Sequence, residues 1–149
     1  MLQGILLLMV AIPVIFVNQA PAAPLGWFDL VGLTVWLTGF CFESVGDWQL
    51  LKFIRNPANT GKMMTSGLWR YTRHPNYFGE VTLWWGIWLM VLALPGGLIS
   101  VVGPLTITFL ILKVSGIPML EKPYEDCPDF QEHKRRTSAF FPLPPRGGI

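Results

Sequence analysis

Charge is scarce in this chain. Asp, Glu, Lys and Arg make up 13% of its 149 residues, while 52% are hydrophobic. A typical soluble domain carries roughly 25% charged residues. The mean hydropathy of +0.46 agrees with that contrast. Composition therefore places the chain in the membrane class, and no nucleic-acid partner is expected. Cysteine is nearly absent. Cys41 and Cys127 fit neither a zinc spacing nor a disulfide framework, so no metal site is expected. No Gly-x-Gly-x-x-Gly fingerprint follows a strand-like run, which excludes a Rossmann site. No internal repeat or low-complexity tract is present. The length allows one compact bundle, read as a single membrane domain over residues 1–149.

Four apolar runs organise the sequence, and the charges missing around them are informative. The first covers residues 1–17 and is interrupted by Pro13. No Lys or Arg precedes it, so it lacks the positive start of a signal peptide. It is read as a retained helix, although Ala20-Pro21-Ala22-Ala23 resembles a cleavage site. The second run, residues 27–42, continues as a more polar helix to about Phe53. The third, 77–94, ends at the turn signal Pro95-Gly96-Gly97, and the fourth covers 98–112. The connectors 18–26 and 95–97 carry no charge. In contrast, the segment 52–73 holds five basic residues and no acid, and the tail after Leu112 holds the other six. The positive-inside rule puts that loop and the tail in the cytoplasm. The expected fold is an all-α polytopic membrane bundle. It has about four transmembrane helices, a span needing about 20 residues, with a cytoplasmic basic loop and tail.

Polar groups stand out against this background. Glu43, Asp47 and Arg55 share one helix face at 3.6 residues per turn. Such a stripe is improbable toward lipid, so it should face the bundle or a polar cavity. A structural ion pair to Arg70 or Arg73 is the other reading. The segment Gly67-Leu68-Trp69-Arg70-Tyr71-Thr72-Arg73-His74-Pro75-Asn76-Tyr77-Phe78-Gly79-Glu80 is denser still in polar groups. Pro75 disfavours a helical His74 and suits the first position of a helix. A helix beginning there sets its free N–H groups and positive dipole end beside Arg70 and Arg73, a site for phosphate. Asn76, Tyr77 and Glu80 can line one surface. Glu80 lies just inside an apolar run and should hydrogen-bond to a ligand amide or a basic partner. Gly79 permits close approach of another backbone or a flat ligand. Together these groups ask for a ligand with several negative charges and a polar amide. NADPH has that profile, but composition alone does not separate it from S-adenosylmethionine or a lipid phosphate.

The stretch from Arg73 to Glu80 resembles the signature of the membrane steroid 5-alpha-reductase-like family, in its bacterial DUF1295 branch. The likeness extends through Phe42-Glu43-Ser44-Val45-Gly46-Asp47, Lys52, Arg55, Trp84-Trp85-Gly86, Ser115-Gly116-Ile117-Pro118-Met119-Leu120-Glu121-Lys122, Tyr124 and Lys134-Arg135-Arg136-Thr137-Ser138-Ala139-Phe140-Phe141-Pro142. It matches the C-terminal part of such a bundle, so oligomerisation is one way to complete the cavity. The resemblance implies an NADPH-dependent ene reductase in a membrane, the bacterial inner membrane, acting on an apolar steroid- or lipid-like substrate. It implies Glu80, Tyr77 and Tyr71 as catalytic candidates. Asp47, Arg55, Lys62, Arg70, Arg73, His74, Asn76, Tyr77 and Glu80 become candidates for holding the cofactor. Isoprenylcysteine carboxyl methyltransferases share a similar Arg-His-Pro core but usually show a Glu-Glu pair where this chain has Glu121-Lys122. A methyltransferase using S-adenosylmethionine, or a truncated non-catalytic module, are the alternatives.

Overall fold

The structure, a computed structural model, describes residues 2–21 and 24–146. Two residues of the cleavage-site resemblance, Ala22 and Ala23, lie outside the described residues. The described residues form six α-helices: α1 (Leu2–Gln19), α2 (Trp27–Ile54), α3 (Pro75–Val91), α4 (Val102–Phe109), α5 (Ile117–Glu121) and α6 (Pro128–Arg136). Among them no strand forms, and one isolated parallel bridge joins Thr72 to Ser138. Three helical stretches are long and apolar enough to cross a membrane: Leu2–Gln19, Trp27–Ile54 and Gly97–Tyr124. The third is a composite rod in which a π-helical turn, Leu110–Val114, follows α4. Helix α3 has 17 residues, the lower limit of a span. The architecture is that of an all-helical integral membrane protein.

Pro13 does not break α1, which runs through it. In lipid, neighbouring helices stabilise a proline inside a helix. Here Pro13 is fully buried, and a Cβ added at Gly103 of α4 would lie 2.7 Å from its Cδ. Helix α3 begins at Pro75 as expected, with His74 outside helical geometry at φ −138°, ψ 66°.

The tightest contact runs between α2 and α3. Gly32, Gly39 and Gly46 recur every seventh residue on α2, and Gly79 and Gly86 do the same on α3. A Cβ on Gly39 would stand 2.6 Å from the Gly79 carbonyl oxygen, and one on Gly86 2.5 Å from the Trp36 nitrogen. The two backbones therefore touch along the seam. Lipid tails are as apolar as Leu, so helices in a bilayer associate by such close packing and not by a hydrophobic drive. The opposite side of α3 packs on the rod, where Val81, Ile111, Ile117 and Phe140 form a buried apolar cluster with Tyr77, Phe78 and Trp85 against it.

Candidate functional site

The seam places the acids. Gly46 packs on the first turn of α3, against Asn76 and Pro75, and Gly79 packs on the Glu43 backbone. Glu43 and Asp47 then flank the seam on α2, and Asn76 and Glu80 flank it on α3. Glu43, Asp47 and Glu80 lie close enough to repel one another. No cation pairs with any of the three among the described residues. The alternative reading of these acids, an ion pair to Arg70 or Arg73, does not form among the described residues. The Oδ1 atom of Asn76 is buried with no hydrogen-bond partner. Leaving a buried polar atom unmatched costs about 1–3 kcal/mol. Asn76, Glu80 and Tyr77 fall within an arc of about 100° on α3. Farther along α2, Trp36 and Phe40 stack with ring centroids 5.3 Å apart. The flank thus passes from an acceptor-rich polar end to an aromatic one.

The basic loop borders the polar end. Gly67, at φ +63°, opens a helical turn over Gly67–Arg70 that is tied to α2 at two points. Gln49 Oε1 accepts from the Leu68 amide at 2.9 Å, and Trp69 Nε1 donates to the Gly46 carbonyl at 3.1 Å. Arg55, Lys62 and Arg70 are exposed and pair with no acid among the described residues. A cleft of about 320 Å³ lies between the end of α2 and this loop, lined by Trp48, Lys52, Asn59 and Met64 among others. Tyr71 is exposed, and its carbonyl accepts from the Leu143 amide at 3.0 Å.

Arg73 and His74 turn the other way, into a buried cluster around Glu121. Arg73 Nε and Nη2 donate to the Glu121 carboxylate at 2.8 and 3.1 Å, and His74 Nε2 lies 2.9 Å from its Oε1. Lys134 Nζ stands 3.8 Å from Oε2. Arg73 Nη1 donates to the Thr137 carbonyl at 2.5 Å, and the Arg73 amide to the Ser138 carbonyl at 2.8 Å. Thr72 adds bonds from its hydroxyl to the Ala139 and Phe140 carbonyls at 3.2 and 2.9 Å. The tail is thereby laced to the Arg-His-Pro corner. Behind it, burial and then the nearby Arg73 charge push the His133 imidazole below its ordinary range.

Of the sequence-predicted residues, Asp47, Asn76, Tyr77 and Glu80 gather along or beside the α2–α3 flank. Arg55, Lys62 and Arg70 lie on the loop surface. Arg73 and His74 Nε2 are committed to Glu121 and the tail, which leaves Arg55, Lys62 and Arg70 as the open loop cations. Sequence reasoning put Glu43 on the polar face with Asp47, but it missed Glu121 as the centre of the second cluster. A lone acid at the end of a membrane helix was a signal for Glu121, by the same logic applied to Glu80.

The family model described as a protein of unknown function (DUF1295) matches residues 1–137. The 3-oxo-5-alpha-steroid 4-dehydrogenase 1 of Homo sapiens is 40% identical over 58 residues, 38% of this chain and 22% of that protein. Its Mus musculus counterpart is 37% identical over 68 residues, 45% of this chain and 26% of that protein. The Bos taurus protein is 31% identical over 107 residues, 69% of this chain and 39% of that protein. The chain thus spans well under half the length of these curated relatives. No solved structure matches the chain.

Proposed function

The chain belongs to the DUF1295 family and is steroid 5-alpha-reductase-like, and on that premise we propose that it is a membrane oxidoreductase using NADPH to reduce an activated C=C bond of an apolar, steroid- or lipid-like substrate. The observation that carries this reading is the unmatched acceptor set on the α2–α3 flank. Among the described residues Asn76 Oδ1 is buried without a partner, and three carboxylates beside it have no cation. That set suits the amide donors of a nicotinamide and the hydroxyls of a ribose. The open cations Arg55, Lys62 and Arg70, one short segment away, suit phosphates, with arginine favoured for bidentate contact. Residues 1–149 are taken as one membrane domain, with the loop and tail cytoplasmic.

When bound, NADPH supplies a hydride to the β-carbon of the alkene. Glu80 and Asn76 would hold the carboxamide and orient it toward the substrate. The electron pair displaced from the double bond moves onto the conjugated carbonyl oxygen. Tyr77, which lies beside Glu80, then donates its hydroxyl proton to the α-carbon and is reprotonated from solvent. Tyr71 is the alternative donor, but it lies on the exposed loop. The stacked Trp36 and Phe40 offer an apolar wall for a substrate arriving from the bilayer. Titration of the purified chain in nanodiscs with NADPH, NADH and S-adenosylmethionine tests the reading. NADPH should bind most tightly, because the loop offers more cations than a diphosphate needs. Saturable S-adenosylmethionine binding with no response to NADPH would replace it with a methyltransferase.

A further inference from the structure

We infer that Glu121 is a positioning residue that sets the first turn of α3, and through His74 the ring of Tyr77. This rests on the reading of Tyr77 as proton donor. Glu121 sits at the last position of α5 and is 7% exposed. One of its oxygens receives both Arg73 Nε and His74 Nε2, side chains of consecutive residues. A carboxylate held this way fixes two rotamers and the peptide between them. The His74 amide is anchored in turn by Thr72 Oγ1 at 3.3 Å, and the His74 carbonyl accepts the Phe78 amide at 3.1 Å, opening α3.

The connection to Tyr77 is direct. The His74 imidazole lies over the Tyr77 ring, with centroids 5.6 Å apart and planes 21° from parallel. The ring also packs against the apolar cluster that includes Ile117, one turn before Glu121 on α5. Helix α5 therefore reaches Tyr77 through the Glu121–His74 bond, and its Ile117 belongs to the apolar cluster on which the ring packs. A carboxylate serving only as a counter-ion for Arg73 would not need His74 on the same oxygen, and its loss would leave Tyr77 in place. A carboxylate that positions Tyr77 changes the ring's surroundings when shortened, neutralised or uncoupled.

Incorporating 3-fluorotyrosine into the nanodisc-bound protein gives a ¹⁹F signal for each of the three tyrosines, with Tyr77 assigned by its loss in Tyr77→Phe and Tyr71 as the internal control. Glu121→Asp, Glu121→Gln and His74→Asn should each move or broaden the Tyr77 signal and leave Tyr71 unmoved. His74→Asn keeps the Glu121–Arg73 pair, so it provides a folded variant if the Glu121 changes do not fold. In turnover, His74→Asn and Glu121→Gln should lower kcat at least tenfold while the NADPH Kd changes less than threefold. The double variant Glu121→Gln/Tyr77→Phe should be no slower than Tyr77→Phe alone. A Tyr77 signal unmoved in every folded variant, or kcat losses that multiply in the double variant, would overturn the inference. Absence of NADPH binding by the unaltered protein would overturn the functional reading instead, and the ¹⁹F signals would still decide the role of Glu121.

Discussion

Two glutamates, Glu80 and Glu121, sit in opposite electrostatic settings. Among the described residues Glu80 has no cation, and Glu121 has Arg73, Lys134 and the His74 imidazole within reach. Glu80→Gln keeps shape and removes charge, and it also relieves repulsion with Glu43 and Asp47. The fold should persist, and on the proposed reading, in which Glu80 orients the nicotinamide and does not hold the phosphates, hydride transfer should fall more than NADPH affinity does. Single-turnover kinetics beside equilibrium titration checks this, and unchanged turnover would remove Glu80 from the site. Arg73→Ala should act on stability, because it strands a buried carboxylate. Breaking such a pair costs about 3–5 kcal/mol. Arg55→Ala, on the open loop, should leave unfolding unchanged and weaken NADPH. Thermal unfolding with and without NADPH separates the two. His133 gives a pH prediction. Its folded pKa is lowered, so folding favours the neutral ring, and that contribution is present above the unfolded value of about 6.5. It is lost as pH falls from there toward the folded value, because the unfolded chain binds the extra proton. Melting temperature in detergent should drop between pH 7.5 and 5.5, and His133→Asn should flatten the drop.

Element boundaries were largely legible. The apolar run ending near Phe53 became α2 ending at Ile54, and the steric rule for a residue before proline placed the start of α3 at Pro75. The retained first helix was readable, and Pro13 interrupts its apolar run without ending it because its ring packs at Gly103, far along the chain. Gly79 was readable as a point of close approach, and the partner proved to be the Glu43 backbone and not a ligand. The seven-residue repeat of Gly32, Gly39 and Gly46 is what lets α2 and α3 meet so closely. Gly39→Ala should therefore destabilise the protein by about 1–3 kcal/mol through overpacking against backbone atoms that cannot retreat. Gly4→Ala, where a Cβ would meet nothing within 4 Å, should fall within about 0.5 kcal/mol of the unaltered protein. Unfolding in nanodiscs compares them directly. Equal stability of the two variants would mean that the seam does not hold the acids in place.

On the scale of the whole molecule, the site is built from segments that sequence proximity does not join. The polar flank needs α2 and α3 together, and the Arg73–Glu121 contact spans 48 residues. Sequence reading found the residues on each helix, because an acid in an apolar run is conspicuous by itself. It could not find the pairing, because Arg73 was equally able to meet Glu43, Asp47, a phosphate or Glu121. Only the fold of the tail decides, by carrying Glu121 and residues 137–143 to the Arg-His-Pro corner. That docking also constrains topology. The Thr72–Ser138 bridge and the Leu143–Tyr71 bond place the loop and the tail on one side of the membrane. Helix α3 and the rod that follows it must then form a hairpin, with Gly96, at φ +78° in its turn, on the far side. We propose, from the charge distribution, that the near side is cytoplasmic. Single cysteines replacing Lys62, Arg136 and Gly96, in a background with Cys41 and Cys127 changed to Ser, test both statements. In sealed, oriented vesicles an impermeant thiol reagent should label positions 62 and 136 from one face and position 96 from the other. Labelling of 62 and 96 from the same face would mean that α3, with its 17 residues, does not cross the bilayer. The acid-lined flank would then lie at the membrane surface, and an apolar substrate would have no path to it from the lipid.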